Sequence, residues 1–148
     1  MQVKIKKIHN DAILPTRNNS ADSGMDVFSI DDVTIPTGKM IPIHTGIAIQ
    51  LPDPDQFFTY ECQVRPRSGL AAKHQITIQN SPGTVDFLYR GEIIVLLRNE
   101  GEIAFHVERG MRIAQLVIAP VIIPELIEVA ELDDTDRGDK GFGSSGVK

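Results

Sequence analysis

The chain has 148 residues, a single cysteine and a formal net charge of −5. One domain of this size buries roughly 68–70% of its unfolded surface, and one cysteine excludes an internal disulfide framework or a Cys-based zinc site. The acidic balance excludes bulk binding to nucleic acid or to an anionic membrane, while leaving room for a local basic pocket.

Met1 to Asn10 carries Lys4, Lys6, Lys7 and His9 with no apolar core, so it does not read as a signal peptide. No apolar run reaches the ~18 residues of a membrane span. The expected compartment is a reducing cytoplasm. Period-2 alternation predicts strands at Val3–Ile5, Ile47–Leu51, Phe58–Arg65, Ile76–Ile78 and Ile103–Val107. In the clearest of these, Phe58, Tyr60, Cys62 and Val64 share one face, and Thr59, Glu61, Gln63 and Arg65 share the other. Cys62 falls in the apolar set and reads as a packed thiol. Ser68–His74 alone reads as a helix, of two turns at most, with Ser68 as its cap. The continuous run Ile93–Leu97 predicts a strand buried on both faces. Pro36-Thr37-Gly38, Pro52-Asp53-Pro54, Pro82-Gly83 and Arg109-Gly110 separate these runs as turns. The fold class is therefore all-β, a sandwich, jelly roll or barrel of ten or more short strands with one short helix. Residues 1–136 form the domain. Residues 137–148, with four Gly and two Ser, read as a flexible C-terminal tail.

Five segments can carry chemistry. Asp26 follows a Gly turn in Asp22-Ser-Gly-Met-Asp-Val; alone, that is an ordinary turn. Arg67, Ser68 and Gly69 stand where a strand meets the helix, either a simple capped turn or a phosphate site. Asn80-Ser-Pro-Gly-Thr-Val-Asp-Phe-Leu-Tyr-Arg-Gly-Glu reads as a hairpin. Its Asp86 either accepts structural hydrogen bonds or does acid–base work, and Tyr89 is either core or a stacking ring. Gln115 in the apolar stretch Arg112-Ile-Ala-Gln-Leu-Val needs a partner, backbone or ligand. Gly141-Phe-Gly-Ser-Ser-Gly matches G-x-G-x-x-G, but no helix can follow it, so it is not a dinucleotide fingerprint. Glycine amides, serine hydroxyls, Arg137 and Lys140 still suit an anion; a disordered Gly-Ser terminus is the alternative. His9, His44, His74 and His106 show no metal-ligand spacing.

In order, Ser23-Gly-Met-Asp-Val, Arg67-Ser-Gly-Leu-Ala, Gly83-Thr-Val-Asp-Phe-Leu-Tyr-Arg-Gly-Glu, Arg112-Ile-Ala-Gln-Leu-Val and Arg137-Gly-Asp-Lys-Gly-Phe-Gly-Ser-Ser-Gly resemble the five motifs of the homotrimeric dUTPase family. The resemblance covers about residues 20–148. It implies a β jelly roll, dUTP as substrate and dUMP and diphosphate as products. It also implies three active sites shared between chains, each closed by a neighbour's tail. By position, Asp86 matches the general base and Tyr89 the ring that packs on deoxyribose. Asn80, the hairpin Gly83, Thr84, Val85 and Asp86, and Ile94 match uracil contacts. Arg67, Ser68, Gly69 and Gln115 match phosphate contacts. Arg137, Gly143, Ser144 and Ser145 match the phosphate clamp of the tail, and Phe142 the ring that stacks on uracil. Asp26 matches a carboxylate that acts through water or by orienting an Arg. Mg²⁺ is implied as the cofactor, held by the phosphates and waters with no direct protein ligand.

Three positions depart from the family pattern. Ser23 stands where Ala is usual, Phe87-Leu88 where a small residue and a second Asp often stand, and Ser145 where Thr is common. The related deaminases of dCTP carry a catalytic Glu on the strand after the hairpin, where this chain has Leu; a non-enzymatic nucleotide-binding trimer is the other alternative. The segment from Ala119 to Glu125, with Pro120 and Pro124 around apolar residues, suggests a strand over 121–129 that reaches a neighbouring subunit.

Overall fold

The computed structural model describes residues 2–139 and 141. Eleven strands and one helix follow one another among them: β1 (Lys4–Lys7), β2 (Met25–Phe28), β3 (Val33–Ile35), β4 (Met40–His44), β5 (Ile47–Gln50), β6 (Phe58–Arg65), α1 (Ser68–His74), β7 (Ile76–Ile78), β8 (Gly83–Val85), β9 (Ile94–Asn99), β10 (Phe105–Val107) and β11 (Arg112–Ile122). Every pairing between them is antiparallel. A four-stranded sheet runs β2-β11-β6-β8, a three-stranded sheet runs β4-β9-β7, and β1-β5 and β3-β10 form two further pairs. This is the all-β, jelly-roll class expected. Among the described residues no helix is long and apolar enough to cross a membrane.

Strand alternation sends one face of each sheet into a common core. Val27, Ile35, Ile43, Ile49, Cys62, Ile78, Val85, Val95, Val107 and Leu116 meet there, with Ile5 of β1 packed against them. Cys62 is fully buried, and burial pushes its thiol up to about 12, so it is packed rather than reactive. In β11 a register shift between Arg112 and Ala114 lets consecutive Ile113 and Ala114 both face inward.

Four expectations are corrected. Ile93–Leu97 is not buried on both faces. Ile93, Val95 and Leu97 point into the core, while Ile94 is exposed and Leu96 half-buried, because that side of β9 walls a cavity. Consecutive burial occurs instead in β5, at Ile47, Ala48 and Ile49. Ser68 does not cap α1; Arg67 is the N-cap residue, in extended conformation and without a side-chain cap bond, and Ser68 is already helical. Ile103 stays exposed and its strand begins at Phe105, while the first strand begins at Lys4 rather than Val3. Strand β11 runs through Pro120 and pairs with β6 as far as Ile122↔Phe58. Residues 121 and 122 thus belong to this chain's own sheet. From residue 123 to 130 no strand is formed, and Ile123, Leu126, Ile127 and Val129 are exposed.

Candidate active site

Two groups of expected site residues form around β6. The first lies where β8 and β9 meet. Antiparallel pairing sets Gly83 opposite Val64 and Val85 opposite Cys62, which buries Val85 and turns Thr84 outward. A Cβ on Gly83 would lie 3.3 Å from both Val64 and the Asn80 carboxamide, so a side chain here would crowd Asn80. The strand ends at Val85, and the chain turns back from Asp86 with the Tyr89 amide donating to the Asp86 carbonyl at 3.0 Å. Arg90 braces that turn. It donates to the carbonyls of Phe87 and Tyr89, and its guanidinium lies 5.7 Å from the centre of the Phe87 ring. Phe87 packs against the core and Leu88 projects into solvent. The Asp86 carboxylate is exposed and has no hydrogen-bond partner among the described residues. Tyr89, 46% exposed, donates its hydroxyl to the Glu92 carbonyl at 2.9 Å. Its ring lies across Gly91, where a Cβ would come within 2.5 Å of the hydroxyl oxygen. Thr84, Val85, Asp86, Tyr89, Glu92, Ile93 and Ile94 line a cavity of about 170 Å³. A smaller one of about 60 Å³ shares Thr84, Val85 and Ile94 with it and adds Val64, Ile78, Asn80, Gly83 and Leu96.

The second group lies where β2, β11 and the start of α1 meet. Asp26 pairs with Gln115, and Gln115 with Arg65. The Arg67 Nε donates to Asp26 Oδ1 at 2.9 Å, and an Arg112 Nη donates to Oδ2 of the same carboxylate at 3.3 Å. Arg67 also donates to the Arg112 carbonyl at 3.3 Å. The Gln115 amide donates to the Pro66 carbonyl at 2.9 Å, which satisfies the polar group expected to need a partner. Gly24 leaves that carboxamide its space, for a Cβ there would lie 2.0 Å from Gln115 Oε1. Thr16, Asn18, Asp22, Ser23, Gly24, Asp26 and Gln115 line a cavity of about 310 Å³. Ser68 and Gly69 are exposed in the first turn of α1, and Gly69 has open space beside it.

These cavities of the two groups share no lining residue: Asp86 and Tyr89 line one, Asp26 and Gln115 another. Arg137 is exposed. Lys140, Phe142, Gly143, Ser144 and Ser145 lie outside the described residues. Another cavity, between β1 and β5 beside Arg90, contains none of the expected site residues.

Sequence reasoning missed Glu92 and His44. Glu92 lines the cavity of Asp86 and Tyr89. Its carboxylate accepts from the Gly46 amide at 2.7 Å and lies 2.9 Å from His44 Nδ1. Burial pushes the Glu92 carboxyl up, but its bonds to His44 and the Gly46 amide outweigh that and leave it lowered. The same hydrogen bond raises His44 against its partial desolvation. The partners lie 48 positions apart, and no local pattern marks such a pair.

The family model described as dUTPase matches residues 10–146. The deoxyuridine 5'-triphosphate nucleotidohydrolase of Gloeothece citriformis is 54% identical over 147 residues, 99% of this chain and 98% of that one. That of Crocosphaera subtropica is 53% identical over 147 residues, 99% of this chain and all of the relative. Among solved structures, the Staphylococcus bacteriophage 80alpha dUTPase with dUPNHPP superimposes with a TM-score of 0.88 at 30% identity, covering 99% of both chains. Motif order, sheet topology and full-length similarity agree, and the chain belongs to the dUTPase family.

Proposed function

We propose that this protein is a dUTP diphosphatase, hydrolysing dUTP to dUMP and diphosphate by attack of water at the α-phosphorus. The observation that carries the reading is one cavity lined both by an exposed carboxylate, Asp86, and by a half-exposed phenol, Tyr89. In this reading uracil enters beneath the hairpin, against Asn80 and the backbone of Gly83, Thr84, Val85 and Ile94. A cleft of that size favours uracil over thymine, whose methyl group needs extra volume. The Tyr89 ring packs on the deoxyribose and leaves no room for a 2′-hydroxyl.

Asp86 takes the proton of the attacking water. The water oxygen bonds to the α-phosphorus, the bond to the bridging oxygen breaks, and diphosphate leaves with that electron pair. Arg67, Ser68, Gly69 and Gln115 take the phosphates, with Asp26 holding Arg67 in place. Positioning and charge neutralisation dominate such a transfer. Bound with the substrate phosphates, Mg²⁺ would supply charge neutralisation for the triphosphate beside Arg67, Ser68, Gly69 and Gln115. In this reading no side chain of the protein ligates the ion, and both oxygens of Asp26 serve arginines instead.

The working unit in this reading is a homotrimer with shared sites. The two separate cavities support it, since a neighbouring copy can bring the phosphate side of one chain to the nucleoside side of another. The apolar side chains left exposed from Ile122 to Leu132 support it as well. Residues 123–129 then dock on a neighbour, and residues 137–148 close over its site, with Arg137, Gly143, Ser144 and Ser145 on the phosphates and Phe142 on uracil. With Mg²⁺ present, diphosphate release from dUTP should greatly exceed release from dCTP, dTTP or UTP. Equal turnover of all four would sink the assignment.

A further inference from the structure

The acceptor of the Tyr89 hydroxyl is a backbone carbonyl outside any strand, since β9 begins only at Ile94. Its position is set from the far side by the turn between β4 and β5. The Gly46 amide and the His44 ring bind the two oxygens of the Glu92 carboxylate. On the next residue, the Ile93 amide donates to the Ile47 carbonyl at 2.9 Å, and the Thr45 hydroxyl donates to the Ile93 carbonyl. Four consecutive residues, 44 to 47, therefore grip residues 92 and 93. The His44 amide is itself tied to Asp31 at 2.7 Å; Asp31 and Glu92 are the charged groups that face the His44 ring. The hydroxyl end of the Tyr89 ring also packs on Gly91, where a Cβ would come within 2.5 Å of the hydroxyl oxygen.

We propose that Glu92 is a positioning residue for sugar selectivity, its carboxylate fixing through the 44–47 turn the carbonyl that aims the Tyr89 ring at the 2′ position of the substrate. The inference rests on the reading of Tyr89 as the ring beneath the deoxyribose. Glu92 itself need not touch the nucleotide. Removing its side chain cuts two of the four ties and leaves the backbone pair at residue 93 intact. The carbonyl then drifts, and the ring tilts enough to admit a hydroxyl. Glutamine keeps an oxygen for the Gly46 amide and an amide for His44, so it should preserve the grip.

The test is kcat/KM for dUTP and for UTP in the full-length protein, for wild type, Glu92→Ala and Glu92→Gln. The dUTP:UTP preference should fall ~10-fold or more in Glu92→Ala and stay within about threefold of wild type in Glu92→Gln. A Glu92→Ala protein that keeps the wild-type ratio overturns the proposal, even if both rates drop together, for that is the mark of a purely structural role. If Glu92→Ala does not fold, His44→Ala removes one tie only; a severalfold loss of preference supports the proposal and an unchanged ratio overturns it. Wild type that fails to prefer dUTP overturns the underlying reading as well, and so separates the two failures.

Discussion

The carboxylate of Asp26 holds the guanidinium of Arg67 at 2.9 Å and, from its other oxygen, reaches Arg112 at 3.3 Å. One acid on β2 thus orients two cations contributed by the loop before α1 and the start of β11. Each arginine keeps further N–H donors for another anion. The pairs are partly solvated, so their worth to stability is modest; what they fix is direction.

Replacing that acid by its amide tests this arrangement. Asp26→Asn keeps the shape and loses the charge, and the arginines lose their anchor. We expect kcat/KM for dUTP to fall ~10-fold or more while the melting temperature changes little. Unchanged kinetics would show that Arg67 needs no orienting partner.

The Asp86 carboxylate is exposed and accepts no hydrogen bond among the described residues, as a proton acceptor for water should be before substrate arrives. Asp86→Asn should bind dUTP with near wild-type affinity and lose about 10²–10⁴ in kcat. Near-normal turnover would remove Asp86 as the base.

Gly24 and Gln115 meet so closely that a methyl group displaces the carboxamide from the Pro66 carbonyl. The displaced group is the end of a flexible side chain, so Gly24→Ala should still fold. Its KM for dUTP should rise severalfold, with kcat less affected. Equal KM values would show that Gln115 makes no contact with phosphate.

The His44–Glu92 pair gives stability a defined pH window. Its hydrogen bond to Glu92 raises His44 above 6.5, so that contribution is complete below 6.5 and fades as pH climbs through the raised value. For Glu92, burial opposes the charge, but the hydrogen bonds win and hold it below 4.5; its contribution is complete above 4.5 and is lost as pH falls through the lowered value. The Tm difference between wild type and Glu92→Gln should therefore be greatest between pH 4.5 and 6.5 and shrink on both sides. A difference independent of pH would show that the pair is not ionised in the folded protein.

The sheet elements were legible where pattern and burial coincide. Phe58–Arg65 alternates and forms β6, and Cys62 is packed as its place in the apolar set predicts. The run Ile93–Leu97 reads as buried on both faces because an apolar run does not separate a residue facing the core from one walling a cavity, as Ile94 does. Ser68 was misread because its side chain suits a cap, whereas Arg67, turned toward Asp26, occupies the capping position. Motif order pointed to the family, but Glu92 and His44 stayed hidden. Each is an ordinary surface residue in its own segment and acquires a role only when β4 and the approach to β9 are folded together.

The absence of any shared lining residue between the two groups of cavities has a genetic corollary. If a complete site draws Asp86 from one copy and Arg67 from another, two dead proteins can rescue each other. The Asp86→Asn and Arg67→Ala proteins should each be inactive on their own. Unfolded and refolded together in equal amounts, they should regain roughly a quarter of wild-type sites, because that fraction joins an intact Asp86 to an intact Arg67. A chain that carried its whole site alone would gain nothing from the mixture.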